Sequence, residues 1–125
     1  MPLNVELVSP ERSLWSGEAS MIVAKTVEGD IGVLPGHAPV LAVLANGVVR
    51  IDGTDGSQVR ALVVGGFLSI ADDRVSILAE FTEHLDEIDA SAAESDLREA
   101  EQSGDREAAD LARARVAASG GADIH

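Results

Sequence analysis

A β-sandwich, or flattened barrel, followed by an antiparallel two-helix hairpin is the mainly β architecture that this sequence predicts. Three observations carry it. Up to Glu80 the chain is a succession of short runs in which apolar and polar residues alternate. A turn signal of Gly, Pro, Asn or Asp stands at nearly every junction between runs. Near Asp86 the composition changes, and Ala, Glu, Asp and Arg follow with hardly a β-branched residue. The expected division is a sandwich domain over 1–84 and a helical hairpin over 85–125. No helix of any length fits between the runs, which excludes a doubly wound parallel sheet.

Asn4 to Val8 alternates as a half-buried strand does, and Ser9-Pro10-Glu11-Arg12 turns the chain with Pro10 where its fixed φ helps. Leu14 to Glu18 leads into a second extended run, Ser20 to Lys25. Glu28 to Leu41 then holds three glycines, two prolines and one histidine between apolar runs, and reads as a shaped loop that presents a surface. Val40 to Leu44 is a strand, Ala45-Asn46-Gly47 a turn, and Val48 to Ile51 the next strand. Asp52 to Gly56 is a hairpin turn, because Asp-Gly accepts the positive φ that tight turns demand. Ser57 to Val64, Phe67 to Ile70 and Arg74 to Ala79 complete the set, with Ala71-Asp72-Asp73 joining the last two. Gly65-Gly66 signals a bulge or a close backbone approach.

In the tail, Asp89 is the expected N-cap of a first helix, with Ser91 and Glu94 as a competing capping box. Ala93, Leu97 and Ala100 share one face. Ser103-Gly104-Asp105 interrupts the pattern, and Asp105 is set to cap a second helix with an Ala108, Leu111, Ala112 stripe. Gly120-Gly121 is the expected stop. Arg113 and Arg115 are expected near the helix end, where cations oppose the dipole favourably, or facing an acidic partner. The hairpin is weak, since burying an alanine methyl yields only about 0.8 kcal/mol per carbon and short helices are marginal alone. Such a pair can dock, undock or melt.

At 125 residues with 46% apolar content the chain forms one core, and the core is aliphatic because Trp15, Phe67 and Phe81 are the only aromatics. The absence of cysteine excludes disulfides, thiol nucleophiles and cysteine-ligated metal. A formal net charge of -13 argues against unaided binding to nucleic acid or anionic lipid. The start Met-Pro-Leu-Asn-Val-Glu has no basic and apolar leader pattern, and no apolar run reaches the roughly 18 residues of a membrane-spanning helix.

No catalytic constellation is visible. His37 stands alone between Gly36 and Ala38, with His84 and His125 far off, and reads as a loop histidine bonding to backbone or partner. Glu28 and Asp30 lie on one side of an extended segment, where paired carboxylates can hold Mg²⁺ or form a solvated rim. With no pocket or nucleophile beside them, the rim is the reading adopted. The glycine pairs are not phosphate loops, because neither leads into a helix with Lys-Ser or Lys-Thr and Lys25 is the sole lysine. No Gly-x-Ser-x-Gly elbow is present.

The segment Glu28-Gly29-Asp30-Ile31-Gly32-Val33-Leu34-Pro35-Gly36-His37-Ala38-Pro39-Val40-Leu41 closely resembles the signature of the epsilon-subunit family of rotary F-type ATP synthases, bacterial type. Asn4 to Glu11, Leu14-Trp15-Ser16-Gly17-Glu18, Gly47 to Ile51, Gly65 to Ile70 and Val75 to Glu80 resemble further elements of that family, in order along nearly the whole chain. The resemblance implies a non-catalytic central-stalk (rotor) subunit that couples c-ring rotation to ATP synthesis, peripheral on the cytoplasmic side of the cell membrane. It implies the gamma subunit and c ring as partners, with Glu28, Asp30, Pro35 and His37 at that interface. It also implies a hairpin that can extend toward the catalytic alpha and beta subunits and restrain ATP hydrolysis, with Arg113 and Arg115 as docking residues. Some family members bind ATP through I-D-x-x-R-A; here Ile88 and Asp89 are followed by Ala92 and Ala93, so the phosphate-pairing arginine is missing. Weak or no ATP binding is expected, and no cofactor. The main alternative is a free-standing β-sandwich ligand-binding module, which would need aromatic platforms this chain hardly has. A small hydrolase lacks its nucleophile and base.

Overall fold

The computed structural model describes residues 2–119. Nine strands come first: β1 Leu3–Ser9, β2 Arg12–Thr26, β3 Gly29–Val33, β4 Val40–Val43, β5 Gly47–Gly53, β6 Gln58–Val64, β7 Phe67–Ala71, β8 Arg74–Leu78 and β9 Phe81–His84. A 3₁₀ turn at Leu85–Glu87 leads to α1 Ala90–Ser103 and α2 Arg106–Ser119. Hydrogen bonds link the strands in the order β4-β7-β8-β1-β2-β5-β6-β9, with β3 added on β2. Only β1 and β8 run parallel.

This single sheet becomes two layers because β2 serves both. Its first half pairs with β1, its second half with β5 and β3. Between them Ser20 is the extra residue of a bulge, since Ala19 faces Gly53 and Met21 faces Asp52. A bulge bends the strand and raises its twist, which folds one half of the sheet over the other. Leu3, Leu7, Ile22, Val33, Ile51, Leu68, Ile70 and Ile77 meet between the layers, all fully buried. They are the inward members of the alternating runs. The core is aliphatic as expected, and Trp15 packs at its margin over Gly17.

Two strands were not anticipated. Gly29–Val33 pairs with β2, so the first half of the expected loop is a strand; its glycines disguise it. Phe81–His84 pairs with β6, and Thr82 turns its hydroxyl inward to donate to the Leu62 carbonyl. The turns follow their residue chemistry. Pro10 and Glu11 form the β1–β2 link, and Asp72 and Asp73 both take positive φ (51° and 61°) between β7 and β8. Ala45 and Asn46 make no hairpin. They carry the chain from β4 in one layer to β5 in the other, and the Asn46 side chain accepts the Gly65 N–H.

Asp55 sits in the β5–β6 turn, where its carboxylate accepts the Ser57 hydroxyl at 2.6 Å and the Ser57 N–H at 3.0 Å. The hydroxyl bond first, then the amide, holds its carboxyl below the ordinary aspartate range. A depressed folded pKa means the turn's preference is present above the unfolded pKa and lost as pH falls through the folded one. An NMR titration of the Asp55 carboxyl is therefore expected to show a midpoint below that of a free aspartate. Ser57→Ala is expected to move the midpoint up, and an unmoved midpoint contradicts the assigned cause.

Asp89 caps α1 by accepting the Ala92 N–H, Gly104 ends it at φ 75°, and Asp105 caps α2 by accepting the Ala108 N–H. The helices meet through alanine: Ala93 and Ala100 are buried on α1, and Ala109, Ala112 and Ala118 on α2. The stripe on α2 thus runs through Ala109, while Ala108 is exposed. Gly120-Gly121 and His125 lie outside the described residues.

Candidate protein–protein interface

The second half of the signature segment is a loop with a defined turn. Pro35 supplies a fixed φ, Gly36 takes φ 86°, and the His37 N–H donates to the Leu34 carbonyl at 3.1 Å. That is a type II turn, whose third position requires the positive φ that glycine tolerates. Its tip is exposed at Leu34, Pro35 and Gly36. The His37 ring bonds the neighbouring Ala38 carbonyl through Nδ1 at 2.7 Å, so the histidine stiffens its own loop. Glu28 lies in the β2–β3 turn and Asp30 on β3, in register with Lys25; both carboxylates are exposed. Glu28 and Asp30 are therefore in a different place from Pro35 and His37, separated by the length of β3.

A second surface was missed in the sequence. The outer face of β4, β7 and β8 carries Val43, Phe67 and Leu78 directly opposite one another in register, each about half exposed. Leu41 lies one row along at 76% exposure, and Val27 adjoins by donating its N–H to the Val43 carbonyl. The three strands hold one charged residue, Arg74. In a chain of net charge -13, an exposed row of Val43, Phe67 and Leu78 with Leu41 beside it and a single charge, Arg74, at the far end of the face is a candidate contact surface. Strict alternation held the signal, because Leu68 and Ile70 pointing inward force Phe67 outward.

The hairpin rests on the other layer. Leu62, outward on β6, is buried beneath α2, and a cavity of about 120 Å³ beside it is lined by Lys25, Asn46, Gly47, Val48 and alanines of α2. The main polar tie is Arg115, whose guanidinium donates to both oxygens of Glu83 on β9 at 3.0 and 3.3 Å, with Asp96 of α1 at 3.5 Å. Arg113 is exposed and pairs with Asp110 at 2.9 Å and Glu101 at 3.8 Å. Both arginines stand before the last turn of α2, so carboxylates and not the helix dipole account for them. Of the degenerate nucleotide motif, Asp89 is occupied in capping, Ile88 is half-buried, Ala92 is exposed and Ala93 is packed between the helices. Among the described residues, no helix is long and apolar enough to cross a membrane.

Residues 2–85 match the family described as ATP synthase, Delta/Epsilon chain, beta-sandwich domain. The chain belongs to this family. It is 52% identical over 116 residues to the ATP synthase epsilon chain of Streptomyces avermitilis, covering 93% of this chain and 94% of that one. To the epsilon chain of Thermobifida fusca it is 56% identical over 120 residues, 92% and 85% of the two chains. Among solved structures, it is similar to a chain of the Euglena gracilis mitochondrial ATP synthase (OSCP/F1/c-ring), with TM-score 0.72, 25% identity, and 92% and 75% of the chains covered. The family is thus the one the signature segment resembles, and the strand-rich body with its paired helices agrees with it.

Proposed function

We propose that the chain is the rotor-stalk subunit of a proton-translocating ATP synthase, coupling c-ring rotation to ATP synthesis without catalysing a reaction. It sits peripherally on the cytoplasmic side of the cell membrane, attached through its partners. The uncharged row of Val43, Phe67 and Leu78 carries this reading, because it offers a rigid apolar seat for a stalk partner, the gamma subunit. Leu34, Pro35 and His37 reach the polar loops of the c ring, and Glu28 and Asp30 form an acidic rim for basic groups on the same partners.

Residues 1–84 serve as the coupling part and 85–125 as the movable part. The hairpin's alanine contacts and neighbouring cavity leave a small energy difference between docked and released states, so a modest difference in partner affinity shifts it. On release, Arg113 and Arg115 exchange their present carboxylates for acidic or carbonyl groups on the catalytic alpha and beta subunits. A partly buried bidentate pair is not left uncompensated, so the new site must supply comparable acceptors.

Truncation after Glu87 tests the second part in the whole complex. ATP hydrolysis is expected to rise about twofold or more with synthesis intact, as for removal of a brake. Unchanged hydrolysis discards the brake. Failure of the full chain to co-purify with gamma discards the stalk reading itself.

A further inference from the structure

We infer that Asp73 is a positioning residue for the Leu34–His37 loop, a role resting on the rotor-stalk reading only for the partner that the loop meets. Its carboxylate Oδ1 accepts the Gly36 N–H at 2.7 Å across 37 positions of sequence. A charged acceptor makes this shorter and stronger than a neutral amide bond.

The geometry leaves the loop little else to hold it. In a type II turn the closing bond uses the N–H of the fourth residue, here His37, and leaves the N–H of the third free. Pro35 has no N–H. Among the described residues, the hydrogen bonds of residues 34–39 are one within the turn, one from the His37 ring to Ala38, and the one to Asp73. The Gly36–Asp73 bond is thus the only one of these that ties the loop to another element.

Asp73 is itself held firmly. It occupies a left-handed turn at φ 61°, Ala71 and Arg74 close the hairpin on either side, and its carbonyl accepts the Asn4 N–H at 2.8 Å. The β7–β8 hairpin therefore starts at the Phe67–Leu78 pair in the apolar row and reaches its last pair, Ala71–Arg74, about 13 Å away at roughly 3.3 Å per residue, with the clamp in the turn just beyond. One stiff ribbon joins the gamma seat to the c-ring loop. The loop's height and angle are referenced to that seat through Asp73, while the β3–β4 connection only supplies chain.

Three substitutions separate the clamp from the turn. Asp73→Gly removes the acceptor and tolerates the left-handed backbone. Asp73→Asn keeps an acceptor oxygen and also tolerates it. Asp72→Gly adds the same glycine freedom one residue away without touching the clamp. In the isolated protein, hydrogen exchange of the Gly36 amide is expected to quicken about tenfold in Asp73→Gly, by less than that in Asp73→Asn with its neutral acceptor, and to stay near wild type in Asp72→Gly. In the reassembled complex, protons pumped per ATP hydrolysed are expected to fall roughly twofold in Asp73→Gly alone, with gamma affinity and thermal midpoint matching Asp72→Gly. Equal Gly36 exchange in Asp73→Gly and Asp72→Gly overturns the clamp. Faster exchange with an unchanged pumping ratio overturns the positioning role. If the wild-type chain does not restore pumping to a complex lacking this subunit, the stalk reading falls instead, and the exchange data still decide the clamp.

Discussion

Alanine at Gly66 is expected to destabilise the sandwich severely, because among the described residues this is the glycine whose added Cβ meets the nearest atom. A Cβ built there falls 1.9 Å from the Leu78 carbonyl oxygen and 2.8 Å from the Ala79 Cα. Both are backbone atoms of the adjoining strand end, so no rotamer relieves the clash. The φ of 101° adds strain of its own, in a region essentially confined to glycine. The position cannot shift freely, because the Gly66 carbonyl accepts the Leu44 N–H where the chain passes between layers. A loss of more than about 4 kcal/mol follows, against a total stability of about 5–15 kcal/mol for a domain of this kind. Gly65 is the internal control. Its Cβ meets only the Glu80 side chain, which can swing away, so Gly65→Ala is expected to cost about 1–2 kcal/mol for the left-handed φ. Urea unfolding followed by Trp15 fluorescence distinguishes them. A normal transition for Gly66→Ala within about 1 kcal/mol of wild type contradicts the close approach.

The sequence marked this pair of glycines, and the reason is general: a close backbone approach needs a residue without Cβ, and composition displays it. β1, β7 and β8 were legible because one face is fully buried, which forces strict alternation. β3 was not, since Gly29 and Gly32 carry no side chain to alternate and β2 alone dictates its pairing. β9 has no apolar alternation either; Phe81 and Thr82 take their places from β6. On α2 Ala112 is buried as expected and Leu111 partly so, but Ala109 takes the place expected for Ala108, because alanines on every face give little amphipathic contrast to set the phase.

The candidate interface divides along the same line. The turn at Leu34–His37 was readable from Pro-Gly chemistry within four residues. The apolar row needs the register of three strands to bring Val43, Phe67 and Leu78 together, and the Asp73 clamp needs a contact 37 residues long. Neither is a local pattern. Arg115 was noticed for its charge, but its partners Glu83 and Asp96 belong to the tertiary fold.

Phe67→Glu is expected to leave the isolated protein folded and to weaken its association with gamma by about a hundredfold or more. Phe67 is 50% exposed on the outer face, so the substitution removes little core contact, and stability is expected to change by about 1 kcal/mol at most. Binding is another matter. If gamma docks on this row, the phenylalanine at its centre contributes about 2–3 kcal/mol through the area it buries, and a carboxylate in its place must also be desolvated between Val43 and Leu78. Central aromatic positions are where truncation costs most, and the change is carried chiefly by faster dissociation. Gln58→Glu, an equal change in charge on an exposed position of β6, is expected to leave the affinity near wild type. Titration of purified gamma into each variant reads both. Wild-type affinity for Phe67→Glu shows that gamma sits elsewhere, and equal weakening by Gln58→Glu shows that net charge, not the apolar row, governs the association.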